Sequence, residues 1–164
     1  MQRYLQYAPH VIAVFASIVF LDSLRFKFTN APETQEIFGR LNAWAGGWGA
    51  DGLFAQTGLF SQYVIGTAEL IASSLLLLGI LSRFRRLQVV GAAIAVAVMT
   101  GAISFHLFTP LGVDPNNDGG GLFVAAVIVW ISLIAMLVIR RRDGLTILSG
   151  LRSTFLPLAR DAQV

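Results

Sequence analysis

The chain has 164 residues, of which 55% are hydrophobic and only 13% are charged. Soluble domains average about 45–50% apolar and about 25% charged residues, so this chain carries too little charge to cover a globular surface. The composition predicts a single-domain membrane protein with about four spans. The net charge of +3 does not indicate nucleic-acid binding, because the basic residues lie at the edges of apolar runs. The lack of cysteine excludes disulfides and thiolate chemistry.

Four apolar runs predict the membrane spans. About 20 apolar residues, at 1.5 Å rise per residue, cross a hydrocarbon core of roughly 30 Å. We place the spans at about residues 8–26, 60–81, 87–108 and 122–140, so that residues 1–142 form one transmembrane domain. The first run also has the length of a secretory signal, but it ends in charged residues without a small-residue cleavage site, which favours an uncleaved span.

The polar connection between the first two spans predicts a short interfacial helix. Pro32 followed by Glu33 is typical of a helix start, and apolar residues then recur on one helical face from Ile37 to Trp44. A glycine-rich stretch, residues 46–52, ends this helix.

The tail, residues 143–164, predicts an amphipathic helix on the membrane surface. Its leucines at positions 145, 148 and 151 share one side with Phe155, and Pro157 limits the helix. Arg152 and Arg160 favour contact with headgroups.

The basic residues predict the orientation of the chain. Nine of the twelve fall on one side of the four spans: Arg3, Arg83, Arg85, Arg86, Arg140, Arg141, Arg142, Arg152 and Arg160. Because basic loops stay cytoplasmic, both termini are expected in the cytoplasm and the long first loop outside.

Glu69 lies near the middle of the second span, where an acid costs roughly 2.5–3.5 kcal/mol and normally has a partner. Roughly 15 Å of helix separates Glu69 from the outer end of that span. Asp22, Arg25 and Lys27 lie near the outer end of the first span, and His106 near that of the third. We therefore expect an outward-facing polar pocket with Glu69 at its floor and the other four residues on its wall.

Each of these residues also has a structural explanation. Asp22 can pair with Arg25 at i+3, basic side chains can reach headgroups, and a histidine near the interface can be structural. A metal site of His106, Glu69, Asp22 and Asp114 is not predicted, because no ligand pair has helical i, i+4 spacing.

Three stretches resemble the DoxX-like superfamily of small four-helix membrane proteins: Phe20–Thr29, Ile65–Gly79 and Ser104–Pro110 with the later DGGGLF. RFKFT followed by Glu33 is similar to the branch that contains the inner-membrane protein of the reactive-chlorine resistance operon. The resemblance implies a four-helix bundle in the bacterial cytoplasmic (inner) membrane and a setting in redox or oxidative-stress physiology. It also implies that Lys27, Glu69 and His106 are matching positions.

These observations predict an all-α integral membrane four-helix bundle that binds a small amphipathic molecule, a quinone headgroup or a lipid. Glu69 and His106 would be its hydrogen-bonding groups, and an apolar slot would come from Phe26, Phe28, Phe105 and Phe108. Two alternatives stay open. One is a quinone-linked oxidoreductase subunit, with His106 exchanging protons, so whether the chain is an enzyme is undecided. The other is a structural or assembly partner of a larger membrane complex, which docks through its basic tail and the small residues of the third span, such as Gly91 and Ala95. A homo-oligomer also stays open as a partner.

Overall fold

The computed structural model describes residues 6–155, which are helical apart from their connecting turns and contain no strand. The predicted all-helical class is therefore confirmed. Of the residues named above, Arg3, Pro157 and Arg160 lie outside the described part. The six helices are α1 (Ala8–Phe28), α2 (Pro32–Gly46), α3 (Gln62–Leu78), α4 (Leu87–Phe108), α5 (Gly121–Ile139) and α6 (Arg141–Phe155), with a 3-10 turn at Ser82–Phe84 between α3 and α4.

The four long helices pack as a closed ring. α1 lies against α3, α3 against α4, α4 against α5, and α5 returns to α1. Phe20 of α1, Leu76 of α3 and Leu133 of α5 fill the centre and are at most 1% exposed. Alanines complete this core where the helices approach closely: Ala13, Ala16, Ala72, Ala92 and Ala95.

The crossing of α3 and α4 depends on Gly91. A Cβ atom placed there would lie 2.9 Å from the carbonyl oxygen of Ala72 and 3.0 Å from both Leu75 Cβ and Leu76 N. Real Cβ atoms are almost never closer than 3.0 Å to such atoms, so only glycine permits this approach. The small-residue face at Gly91 and Ala95 is thus buried inside the chain.

α2 covers one end of the ring. It begins at Pro32, as the proline and acid predict, and packs through Leu41 and Ala45 against Phe54 and Leu111. The end that α2 covers is the one where α1 stops and α3 starts, because α2 follows α1 after a three-residue turn.

Asp118 organises the start of α5. Its Oδ2 accepts a hydrogen bond from Leu122 N at 2.9 Å, and its Oδ1 accepts one from Gly120 N at 3.0 Å. The hydrogen bond from Leu122 is the main cause that lowers the pKa of Asp118 below its ordinary value of 3.8. A carboxylate at this position satisfies free N–H groups and complements the positive end of the helix dipole.

Two helices, α4 and α5, are each long and apolar enough to cross a membrane, and α3 is a shorter apolar helix of 17 residues. Only 28% of the most apolar stretch of α4 and 22% of that of α5 is buried within the chain. A core helix of a soluble protein is mostly buried instead. These two helices support a membrane protein, whereas the sequence predicts four spans.

Gly91→Ala is expected to destabilise the protein by roughly 1–3 kcal/mol, because the added methyl group meets backbone atoms of α3 that cannot rotate away. Gly101→Ala is the matched control on the same helix, since its nearest neighbour would be Phe105 Cε2 at 4.0 Å. That control should be neutral or gain up to about 1 kcal/mol of helix propensity. Thermal unfolding of the purified proteins in detergent measures both, and equal melting temperatures would contradict the close crossing.

Asp118→Ala is expected to reduce stability at neutral pH and to have little effect in acid. The pKa of Asp118 is lowered in the folded protein, so its contribution is present above the ordinary pKa of 3.8 and is lost as pH falls through the lower folded value. The difference in unfolding free energy between wild type and variant, followed from pH 7 to pH 2, should therefore be constant above pH 3.8 and shrink below it. Asp51→Ala, an exposed loop carboxylate, serves as control, and a constant difference across this range would exclude the capping role.

Candidate functional site

A buried ion pair joins α1 to α3. Lys27 Nζ, in the last turn of α1, lies 3.1 Å from Glu69 Oε1 and 3.0 Å from Oε2. Ser23 stands one helical turn before Lys27, so it shares the same face of α1; it accepts from Lys27 Nζ and donates to Glu69 Oε2 at 3.2 Å. The side chains of Lys27 and Glu69 are only 15% and 4% exposed. The acid that the sequence marks as needing a partner is therefore paired, and the partner is Lys27.

Four amide side chains form a hydrogen-bonded group near the end of α1 and the start of α3. We call them the amide cluster: Asn30, Gln35, Gln56 and Gln62. Asn30 follows α1 with φ of 58°, a left-handed conformation that asparagine tolerates, and its Oδ1 accepts from the other three amides. Gln62, which is 1% exposed, also donates to the carbonyl oxygen of Lys27 at 2.8 Å. The amide cluster thus ties the α1–α2 turn to the start of α3 and, through Gln62, to the backbone of Lys27.

Asp22 and Arg25 lie apart from the ion pair. They pair with each other at 2.8 Å, and their side chains are 60% and 67% exposed. The Arg25 guanidinium also lies 4.9 Å from the centre of the Phe26 ring. The structure therefore places both on the outer surface of α1, in the i, i+3 arrangement that the sequence offers as the structural explanation.

His106 is buried, but its contacts lie with the loop between α4 and α5. Its Nδ1 donates to the carbonyl oxygen of Gly112 at 2.6 Å, and its ring packs edge-on against Phe123 with 5.6 Å between centroids. No hydrogen bond among the described residues connects it to Lys27 or Glu69. Nor does any group of three His, Asp or Glu side chains within residues 6–155 lie close enough together to hold a metal ion.

One of the four phenylalanines predicted to line a slot lies beside the ion pair. Phe28 follows Lys27 and stacks on Tyr63 of α3, with centroids 6.4 Å apart and planes 7° from parallel. It also packs against Gly66, where an added Cβ atom would lie 3.3 Å from the Phe28 ring. Phe105 packs instead against the apolar cluster that Leu41 and Ala45 of α2 form with Phe54 and Leu111. Phe108 is 79% exposed.

A second cluster of charges, which the sequence does not predict, centres on Asp143. Arg85 Nη2 and Nε donate to Asp143 Oδ1 at 2.7 and 3.1 Å, and Arg140 Nη1 donates to Oδ2 at 3.4 Å. Asp143 is 7% exposed, although the sequence assigns it to the surface tail. In the sequence, the feature that could have indicated this cluster is that Asp143 directly follows three consecutive arginines.

Comparison of the chain with protein-family models, with curated proteins and with solved structures finds no match. Membership of the DoxX-like superfamily therefore stays a prediction.

Lys27→Met and Glu69→Met alone are each expected to lower the free energy of unfolding by about 3–5 kcal/mol, because each leaves the other charge buried without a partner. The double variant Lys27→Met/Glu69→Met should recover most of this loss, since both charges are then gone and the volume is kept. Asp22→Asn, on the exposed pair, should change stability by less than about 1 kcal/mol.

Denaturant unfolding of the four variants gives the coupling energy of the pair in a double-mutant cycle. Additive losses in the double variant would show that Lys27 and Glu69 do not depend on one another.

Proposed function

We propose that the chain is an integral membrane protein whose four long helices all cross the bilayer. Each helix exposes large apolar side chains on the side that faces away from the ring, whereas soluble monomers rarely expose contiguous apolar patches beyond a few hundred Å². Lipid tails would cover these surfaces. The exposed residues include Val11 and Ile18 of α1, Ile71 and Leu78 of α3, Val90 and Leu107 of α4, and Ile131 and Val138 of α5.

The arginines support an orientation for this bundle. Pro9 at the start of α1, Arg85 before α4 and Arg140 after α5 line one shared cavity, so these three segments meet at one end of the ring. Because basic residues remain on the cytoplasmic side, that end would be cytoplasmic. The ion pair of Lys27 and Glu69, with the amide cluster and α2, would then belong to the external half.

The ion pair is proposed to bind the polar headgroup of a small amphipathic molecule, for which a quinone fits best. Lys27 supplies an N–H donor for a carbonyl oxygen, and Glu69 supplies an acceptor for a quinol hydroxyl. The pair has no net charge, which suits a neutral headgroup rather than an ion. Phe28 and Tyr63, on the outer side of the same two helices, offer flat apolar surface to a ring or tail.

The single observation that carries this proposal is the burial of two opposite charges in the wall between α1 and α3. Such a pair is often no more stable than two apolar residues of similar volume, so packing alone does not require it. Polar groups within spans are characteristically functional. The proposal assigns no reaction to His106, because its imidazole donates to Gly112. The DoxX-like resemblance adds to this proposal a quinone-linked setting in redox or stress physiology.

The test uses the full chain in lipid nanodiscs with decylubiquinone as the probe and tryptophan fluorescence quenching as the readout. Saturable binding is expected for wild type, and Glu69→Gln should weaken it about tenfold because a charge-assisted hydrogen bond is lost. The double variant Lys27→Met/Glu69→Met, which is expected to stay folded, should bind least. Asp22→Asn is the control on the same helix and should bind as wild type does.

Two results would contradict the proposal. Equal quenching in wild type and in the double variant would mean that the quinone only partitions into lipid. Release of the protein from membranes by an alkaline wash would exclude the four-span arrangement itself.

A further inference from the structure

A cavity of about 240 Å³ opens at the end of the ring opposite the amide cluster. We call it the arginine pocket: its charged lining is Arg85, Arg140, Arg142 and Asp143, and Pro9 and Ile139 contribute apolar wall. Three guanidinium groups face one carboxylate, which leaves a formal excess of two positive charges. The pocket is therefore built to attract an anion.

The hydrogen bonds of the arginine pocket leave donors free. Asp143 uses both of its oxygens on Arg85 and Arg140. Arg140 is only 12% exposed, yet its Nε is buried without a hydrogen-bond partner. Arg142 forms no ion pair with any residue from 6 to 155. The guanidinium of Arg142, which lines the pocket, is therefore available to an acceptor that enters it.

We propose that the arginine pocket binds the phosphate of an anionic phospholipid. Phosphate oxygens match the forked donors of guanidinium groups, and the volume is below the roughly 300–1,000 Å³ typical of pockets for drug-sized ligands, which favours a small group. Basic pockets between transmembrane helices on the cytoplasmic side are sites where lipid headgroups bind. This inference uses the membrane placement proposed above and is independent of the Lys27–Glu69 site.

The surroundings of the pocket favour a lipid over free phosphate. Val11 of α1 and Val138 of α5, close in sequence to Pro9 and Ile139 of the wall, are 66% and 61% exposed and offer a surface for acyl chains. α6 begins beside the pocket and carries an exposed apolar face, as expected of a helix that lies on the membrane surface. That face consists of Leu145, Leu148, Leu151 and Phe155.

The test is a lipid titration of the full chain in a zwitterionic detergent, read by native mass spectrometry. Dioleoylphosphatidylglycerol should bind at least about tenfold more tightly than dioleoylphosphatidylcholine, and Arg142→Gln should remove about tenfold of that affinity. Arg83→Gln is the matched control: it removes the same charge from the same end, but Arg83 lies over the Phe84 ring and outside the pocket. It should leave binding unchanged.

Three outcomes would overturn the inference. Equal weakening by Arg142→Gln and Arg83→Gln would show a diffuse effect of charge. Displacement of the phosphatidylglycerol by inorganic phosphate at equal concentration would overturn the lipid assignment. If Arg142→Gln does not fold, Arg142→Lys replaces it as the test variant, because it keeps the charge but lacks the forked guanidinium donors. Wild-type affinity in Arg142→Lys would then also count against the pocket. Decylubiquinone binding should be the same in all of these variants, which separates this test from that of the ion pair.

Discussion

The ion pair between Lys27 and Glu69 fixes how α1 and α3 lie against each other. Two charges that leave water must meet within hydrogen-bonding distance, so the end of α1 can align with only one level of α3. Ser23 forms a hydrogen bond with each of the two groups, and Gly66, one turn before Glu69, lets the Phe28 ring lie against α3. A shift of one residue along either helix would break all of these contacts together. Elsewhere in the ring, the buried contact of Ser17 with the carbonyl oxygen of Ser73 and the close approach at Gly91 add further constraints.

Most polar groups lie at the two ends of the molecule, and the middle is mostly apolar apart from buried Ser17 and Ser73. At one end the amide cluster joins the turn after α1 to the start of α3, and Gln35 connects α2 to it. At the other end Asp143 joins the turn before α4 to the start of α6. Between them the exposed surfaces of the long helices are mostly hydrophobic. This division into polar, apolar and polar layers is what a bilayer requires of a protein that crosses it.

The sequence predicts the helices well because their limits depend on local features. Apolar runs, the proline at position 32 and the glycine-rich loop each act within a few residues, and the observed helices follow them. The partner of Glu69 is harder to predict because it depends on rotation. Arg25 and Lys27 are two residues apart, which turns their side chains about 200° from each other around α1. α1 is apolar on all sides for most of its length, so hydrophobic periodicity cannot show which of the two faces α3. Asp143 is missed for a related reason: its partner Arg85 lies 58 residues away, and three neighbouring arginines suggest only headgroup contact.

The two charged clusters differ in their balance of charge, and this balance determines what each can accept. Around Glu69, one cation meets one anion, and a hydroxyl completes the set, so an additional charge would find no compensation in the apolar wall. Around Asp143, three guanidinium groups meet one carboxylate, and a donor of Arg140 is left without an acceptor. A neutral headgroup is therefore the compatible ligand at the first cluster, and an anion is the compatible ligand at the second. Because the clusters lie at opposite ends, a ligand at one would not occupy the space of the other.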